Sequence, residues 1–248
     1  MDDPRGLYLD LLKCTLTNTI YADENVAPWH PSEFDPALRS EGADWPKRAH
    51  TMIGLKRLDN LQYCVLDVLS HHVEGDLVET GVWRGGAAIF MRAILKAYGI
   101  KDRRVWAADS FQGLPHPDVE RYPQDAGDPH HGYDLLAVSL EEVRENFRRY
   151  GLLDDQVRFL QGWFRDTLPA APIGRIAVLR LDGDMYESTW EALTALHPKV
   201  SMGGYVIIDD YKAVPGCRQA VDEYRRQQGI ADEITEIDWA GVFWRRSV

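Results

Sequence analysis

The chain has 248 residues, 45% hydrophobic and 27% charged, which suits one globular α/β domain with a substantial core. Its net charge of -11, with no concentrated run of Lys or Arg, argues against a nucleic-acid or acidic-membrane partner. The three cysteines, Cys14, Cys64 and Cys217, are far apart and make no CxxC, which excludes a disulfide framework or thiolate zinc site and fits a reducing cytoplasm.

No apolar stretch approaches the ~20 residues of a membrane helix. The acidic start, Met1-Asp2-Asp3-Pro4, carries no signal-peptide pattern.

Residues 7–20 have helical apolar spacing through Leu7, Leu11, Leu12, Leu16 and Ile20. Residues 22–46 lose periodicity and gather Pro28, Pro31, Pro36, Pro46, Trp29 and Trp45, as a lid or binding loop would. Helix returns over 47–70, with Leu55, Leu58, Leu61, Val65, Val68 and Leu69 on one stripe that serves the core or a subunit contact. A homodimer is expected.

From Asp76 the pattern alternates. A strand at 76–80 leads through a Gly-rich turn to a helix at 87–98, and a strand at 105–108 ends at Asp109. A long loop over 110–135 holds four prolines and three histidines. A helix at 139–150, strands at 157–161 and 175–181, a helix at 188–197, a strand at 204–208 and a helix at 216–227 follow. Residues 233–237 and 242–244 close the chain as a β-hairpin.

This order predicts one α/β domain over 1–248, with N-terminal helices and a lid in 1–72 and a Rossmann-like core in 73–248. The sheet is mostly parallel and seven-stranded, with a C-terminal antiparallel hairpin and helices on both faces. That layout is the one of Rossmann-like methyltransferases; dinucleotide-binding dehydrogenases usually lack the hairpin.

The turn Glu79-Thr80-Gly81-Val82-Trp83-Arg84-Gly85-Gly86 has the spacing E-x-G-x-x-x-G, not the G-x-G-x-x-G of a pyrophosphate cradle. It favours a cofactor with a cationic amino-acid tail: Glu79 attracts the ammonium and Gly81 gives the backbone room. The alternative is a plain strand-to-helix turn. Asp109 suits both ribose hydroxyls of a nucleoside, with Ser110 beside it, or else caps a turn. Gly162 and Trp163 offer a flat wall for adenine, against core filling. Ser139 is a cofactor contact or the N-cap of its helix.

Two acid pairs close strands: Asp182 and Asp184 after Ile176–Leu181, and Asp209-Asp210 after Gly204–Ile208. Ligands bind at the carboxyl ends of open α/β sheets. Four acids gathered there repel one another unless something positive sits among them, and a hard cation such as Mg²⁺ takes oxygen ligands. Asp182 and Asp184, two apart, point to one side in extended backbone. Some of the four alternatively serve as caps. His130-His131 beside Asp128 read as a solvated lid rather than a metal site.

These stretches resemble the macrocin O-methyltransferase (TylF-type) family. The resemblance runs from Tyr21-Ala22-Asp23 to the final hairpin. It is most specific in Thr51-Met52-Ile53-Gly54, the Glu79–Gly86 turn, Asp109-Ser110-Phe111-Gln112-Gly113-Leu114-Pro115, Leu181-Asp182-Gly183-Asp184-Met185-Tyr186 and Ile208-Asp209-Asp210-Tyr211. Within it, the branch that methylates the noviose of aminocoumarins such as novobiocin is the nearer.

The resemblance implies S-adenosylmethionine and Mg²⁺ as cofactors and a glycosylated small-molecule acceptor. It implies Asp182, Asp209 and Asp210 as metal ligands and Asp184 as general base. Met52 and Ile53 resemble the segment that covers the cofactor. The loops 22–46 and 110–135 resemble lids that order when ligands bind. Macrolide-modifying relatives place a His near Asp184; the acid here favours the aminocoumarin branch.

Rival readings use the acids differently. Asp182-Gly183-Asp184 is also a D-x-D, as in Mg-dependent phosphohydrolases or glycosyltransferases, but phosphohydrolases place it on the first strand. A dehydrogenase lacks its G-x-G-x-x-G here. A mere binding protein needs no four clustered acids beside a nucleoside pocket.

Overall fold

A computed structural model describes residues 3–247; the Met1-Asp2 start lies outside them. The sheet has the order β3-β2-β1-β4-β5-β7-β6. Five strands run parallel: β1 (Asp76–Thr80), β2 (Val105–Asp109), β3 (Val157–Gln161), β4 (Ile176–Leu181) and β5 (Val200–Ile208). The hairpin of β6 (Thr235–Glu236) and β7 (Val242–Arg245) adds antiparallel strands at the β5 edge.

Alternate strand residues feed two apolar layers. Leu77, Ala107 and Val178 pack with Leu58, Leu61 and Phe90 on one face. Val78, Ala108 and Leu179 pack with Leu193, Leu196 and Val221 on the other. The helices of the first layer are α1 (Pro4–Leu16), α3 (Gly54–Ser70), α4 (Gly86–Ala97) and α5 (Leu140–Arg149). α7 (Tyr186–Leu196) and α8 (Pro215–Gln228) cover the second. The stripe residues Leu58, Leu61, Val65 and Val68 are therefore core, not a subunit contact. No described helix is long and apolar enough to cross a membrane.

Several boundaries differ from the periodicity. α1 starts at Pro4, where the Asp3 side chain accepts from the Arg5 N–H. It stops at Leu16, short of the expected residue 20, and Asn18 turns left-handed at φ 54. The expected lid 22–46 contains the short helix α2 (Pro36–Glu41), capped by Asp35. α3 begins at Gly54 instead of residue 47. Gly54 has φ +71 and backs onto the bend after α2, where an added Cβ would lie 2.3 Å from the Gly42 nitrogen. The freed residues His50 and Thr51 donate their N–H groups to the Leu16 carbonyl (2.8 and 3.2 Å). A short α6 (Phe164–Thr167), which has no periodic signature, follows β3.

Both lid segments have buried anchors. In 22–46, the Arg39 guanidinium bonds Asp23 at 2.6 Å, Asp44 at 2.8 Å and the Thr17 carbonyl at 2.9 Å. In 110–135, the Asp125 carboxylate accepts the first N–H groups of α7, from Tyr186 (2.7 Å) and Glu187 (2.9 Å). That is an N-cap supplied from a distant loop.

Candidate active site

A cavity of about 560 Å³ opens at the carboxyl ends of the parallel strands. Strand ends supply Glu79, Asp109, Asp182 and Asp209-Asp210 to its wall. Met52 and Ile53 reach it from the segment before α3, and Trp163 from the start of α6. The expected acids and the expected nucleoside residues therefore share one space.

Asp182, Asp209 and Asp210 each offer a carboxylate oxygen, and these oxygens lie within 4.8 Å of one another. An all-oxygen set of that size fits a hard divalent cation. Burial pushes the Asp182 carboxyl up to about 7, with Asp209 adding to the effect. Burial also raises Asp210 well above the carboxylate range, helped by Asp184 and Asp182. A cation seated among them would favour the ionised forms.

The cluster is not built of acids alone. Arg180 is the penultimate residue of β4, in register with Glu79 on β1. It bonds Glu79 at 2.7 Å and Asp182 at 2.8 Å, and it bonds Asp209 as well. Arg57 of α3 bonds the other oxygen of Asp209 and reaches Asp238 at 3.0 Å. Asp238 is held in the hairpin turn by the N–H groups of Ala240 and Gly241. Six carboxylates (Glu79, Asp182, Asp184, Asp209, Asp210, Asp238) thus face two guanidiniums, a large negative excess.

Sequence patterning leaves both arginines unassigned, yet each carries a signal. Arg180 is a cation inside an otherwise apolar strand, and Arg57 lies four residues before Leu61 on the buried stripe of α3. A charge buried at such a place is paired.

Beside Arg180, Glu79 is 1% exposed, and its Oε2 has no hydrogen-bond partner. Burial pushes this carboxyl up to about 8, against the pull of Arg180. An orphaned, buried acceptor facing a cavity fits an incoming ammonium. Asp109 accepts from the Val82 N–H at 2.6 Å through Oδ2 and from the Phe111 N–H at 2.7 Å through Oδ1. The cap role foreseen for Asp109 is therefore present, with the Ser110 hydroxyl also 3.4 Å from Oδ1. Ser110 bonds the Gly113 carbonyl at 2.7 Å and steadies the same bend.

Gly81 has a stricter reason than cofactor approach. Its φ is +80, and a Cβ there would fall 1.5 Å from the Asp182 carbonyl oxygen. The glycine lets β4 bring its acids against β1.

Asp182 and Asp184 do not align by strand alternation as extended backbone would require. Asp184 has φ 55, a left-handed kink costing on the order of 1–3 kcal/mol. The kink sets Asp184 apart from the three-carboxylate cluster. Its N–H points to Asp210 Oδ2 at 3.3 Å, and burial pushes its carboxyl up to about 6.

His130 is not a solvated lid residue. It is half-buried, bonded to Asp128 at 2.8 Å, and its Nε2 lies 3.9 Å from Asp184 Oδ1. His131 is exposed.

Two expected cofactor residues stand off the cavity wall. Ser139 is exposed and caps α5, accepting the Glu142 N–H at 3.2 Å. Gly162, at φ +140, donates its N–H to the Asp109 carbonyl (2.9 Å) and delivers Trp163 to the wall.

Residues 5–246 match the macrocin-O-methyltransferase (TylF) family. Over 248 residues the chain is 59% identical to a Streptomyces olivaceus enzyme named 8-demethyl-8-(2,3-dimethoxy-alpha-L-rhamnosyl)-tetracenomycin-C 4'-O-methyltransferase, covering 99% of this chain and 95% of that one. It is 57% identical over 250 residues to a demethyldecarbamoylnovobiocin O-methyltransferase of Streptomyces niveus (98% and 94% covered). A Micromonospora griseorubida mycinamicin III 3''-O-methyltransferase is 56% identical over 246 residues (97% and 96% covered).

Among solved structures, the O-methyltransferase NovP superposes with a TM-score of 0.93 at 57% identity, covering 98% of this chain and 100% of that one. These matches rule out the phosphohydrolase, glycosyltransferase and dehydrogenase readings of the same acids. With the sheet order, they make the fold that of class I S-adenosylmethionine-dependent methyltransferases, and the chain belongs to the TylF-type macrocin O-methyltransferase family.

Proposed function

We propose that the protein is a metal-dependent S-adenosylmethionine O-methyltransferase acting on a deoxysugar hydroxyl during antibiotic biosynthesis. The acceptor proposed is the 4-hydroxyl of noviose in an aminocoumarin. One observation carries the reading. A single cavity joins the orphaned Glu79 oxygen to the Asp182, Asp209 and Asp210 cluster, with Asp184 beside it.

Glu79 would hold the cofactor's ammonium, Asp109 its ribose hydroxyls and Trp163 its adenine, while Met52 and Ile53 cover it. S-adenosylmethionine, when bound, supplies an electrophilic methyl group. Asp182, Asp209 and Asp210 would hold Mg²⁺, whose chemistry is to acidify a coordinated hydroxyl. Asp184 accepts the acceptor's proton. A carboxylate titrating at about 6 is a weak base for a free alcohol, short by about ten pK units. The base role therefore depends on the neighbouring cation. Positioning supplies much of the remaining rate, on the order of 7–11 kcal/mol of barrier.

The relatives' names support a sugar acceptor: a rhamnosyl tetracenomycin at 4', a novobiocin precursor and a mycinamicin at 3''. Their identities, 59%, 57% and 56%, do not choose among acceptors. The choice of an aminocoumarin rests on the resemblance alone, which takes the acid at Asp184 as a mark of that branch.

The test is a panel assay. Purified protein, S-adenosylmethionine and Mg²⁺ are mixed with a desmethyl noviosyl coumarin, a desmethyl rhamnosyl tetracenomycin and a mycinosyl macrolide. Mass spectrometry then reads one added methyl. Turnover fastest on the noviosyl coumarin is expected. Turnover on the macrolide alone contradicts the acceptor, and none on any glycoside contradicts the sugar reading.

A further inference from the structure

The lid over 110–135 is tied to the body on both sides of its middle, and the Tyr122 hydroxyl adds a bond to Glu191 at 3.2 Å. Asp125 caps α7, and the Trp83 indole N–H donates to the Leu135 carbonyl at 2.8 Å. Between Asp125 and Leu135 lies Asp128-Pro129-His130, on the cavity wall. Asp128 Oδ1 accepts the His130 N–H at 2.9 Å and pairs with His130 Nδ1 at 2.8 Å. These bonds fix the ring, and with Nδ1–H on a carboxylate the free edge is Nε2. That edge faces Asp184 Oδ1 at 3.9 Å.

Asp184 needs such a partner. It sits on a left-handed kink, and its carboxylate torsion is intrinsically broad. Among the described residues, His130 provides the one ion-pair contact to its side chain. The groups facing the His130 ring are Asp128 of its own loop, Asp184 of the β4 end and the Tyr133 ring at 6.1 Å. The Asp128 hydrogen bond and the charge of Asp184 hold the imidazole above its usual range despite burial. In its protonated form the ring offers one N–H to each carboxylate.

We propose that His130, oriented by Asp128, is a positioning residue that holds one oxygen of Asp184 and leaves the other for the acceptor hydroxyl. The inference rests on the base role of Asp184 given above. It adds that the lid completes the base, so that the site is assembled only when the 110–135 segment lies in place.

The test uses His130→Gln, Asp128→Asn and the double variant, each assayed with saturating acceptor and Mg²⁺. Both single variants lose kcat by about tenfold to 10²-fold, the scale of a misplaced reacting group. Their KM for acceptor and their calorimetric affinity for S-adenosylhomocysteine stay within about twofold. The double variant is no slower than His130→Gln alone, because the two residues act as one unit. Added imidazole raises the kcat of His130→Ala.

A His130→Gln enzyme with wild-type kcat overturns the proposal, as does additivity of the two losses. Should His130→Gln fail to fold, Asp128→Asn with wild-type kcat overturns it alone. If Asp184→Asn is inactive while His130→Gln is normal, only this inference fails. If Asp184→Asn is active, the base reading itself fails.

Discussion

The two ends of the cavity meet the problem of buried charge in opposite ways. At the end proposed for the nucleoside, Asp109 spends its hydrogen bonds on two backbone N–H groups, and Ser110 closes the same bend. That end is shaped by the chain's own backbone. At the end proposed for the acceptor, carboxylates outnumber guanidiniums, and Asp182 and Asp210 titrate high because they are buried together. This end is incomplete by its own charges. Where the first offers a preformed pocket, the second offers an excess of negative charge that a divalent cation would balance.

The contrast is broken most severely at the point where the ends touch. Gly81→Ala should leave no stable folded protein. Its Cβ would lie 1.5 Å from the Asp182 carbonyl in a backbone held at φ +80. A loss above about 4 kcal/mol is expected, read as insoluble expression or a collapsed melting transition.

Asp184→Asn separates the ends without disturbing either frame. Methyl transfer should fall by roughly 10²–10⁴-fold, the contribution of a general base. Calorimetric affinity for S-adenosylhomocysteine should stay close to wild type. Full turnover in this variant removes Asp184 from the base role.

A third effect is read against pH. Glu79 and Asp182 titrate at about 8 and about 7 in the fold, against about 4 in an unfolded chain. The native state therefore holds protons that the unfolded state has released. Ligand-free stability should fall as pH rises from about 6.5 to about 8, above the range in which the buried His50 and His197, both pushed down to about 4, contribute the opposite slope. Mg²⁺ and S-adenosylhomocysteine should flatten that fall, because both favour ionised carboxylates. Melting temperatures across the range, with and without ligands, check the slope; a rise with pH in the ligand-free protein contradicts it.

The smallest effect sharpens the boundary of the nucleoside end. Ser139→Ala should cost ~1 kcal/mol through its lost helix cap. Affinity for S-adenosylhomocysteine should not change. A tenfold weaker affinity would return Ser139 to the cofactor.

Much of the architecture was legible because parallel strands announce themselves as apolar runs and glycine turns. The Glu79–Gly86 turn and the acids after β4 and β5 stand out for the same reason: polar residues at the ends of buried strands. Other features depend on contacts between distant segments. The apparent helix over 47–70 starts only at Gly54, because Gly42 lies against it. Asp184 leaves the strand pattern because of a left-handed kink. Arg57 and Arg180 matter through partners far along the chain, and His130 meets Asp184 only when a loop without periodicity folds over the sheet.

The carboxylate end is proposed to work with a divalent cation on a sugar hydroxyl. Protein stripped with EDTA and assayed on a desmethyl noviosyl coumarin tests it directly, with methyl addition read by mass. No added methyl without metal, and one added methyl once Mg²⁺ is restored, is the outcome predicted. Full methylation in metal-free buffer would contradict it.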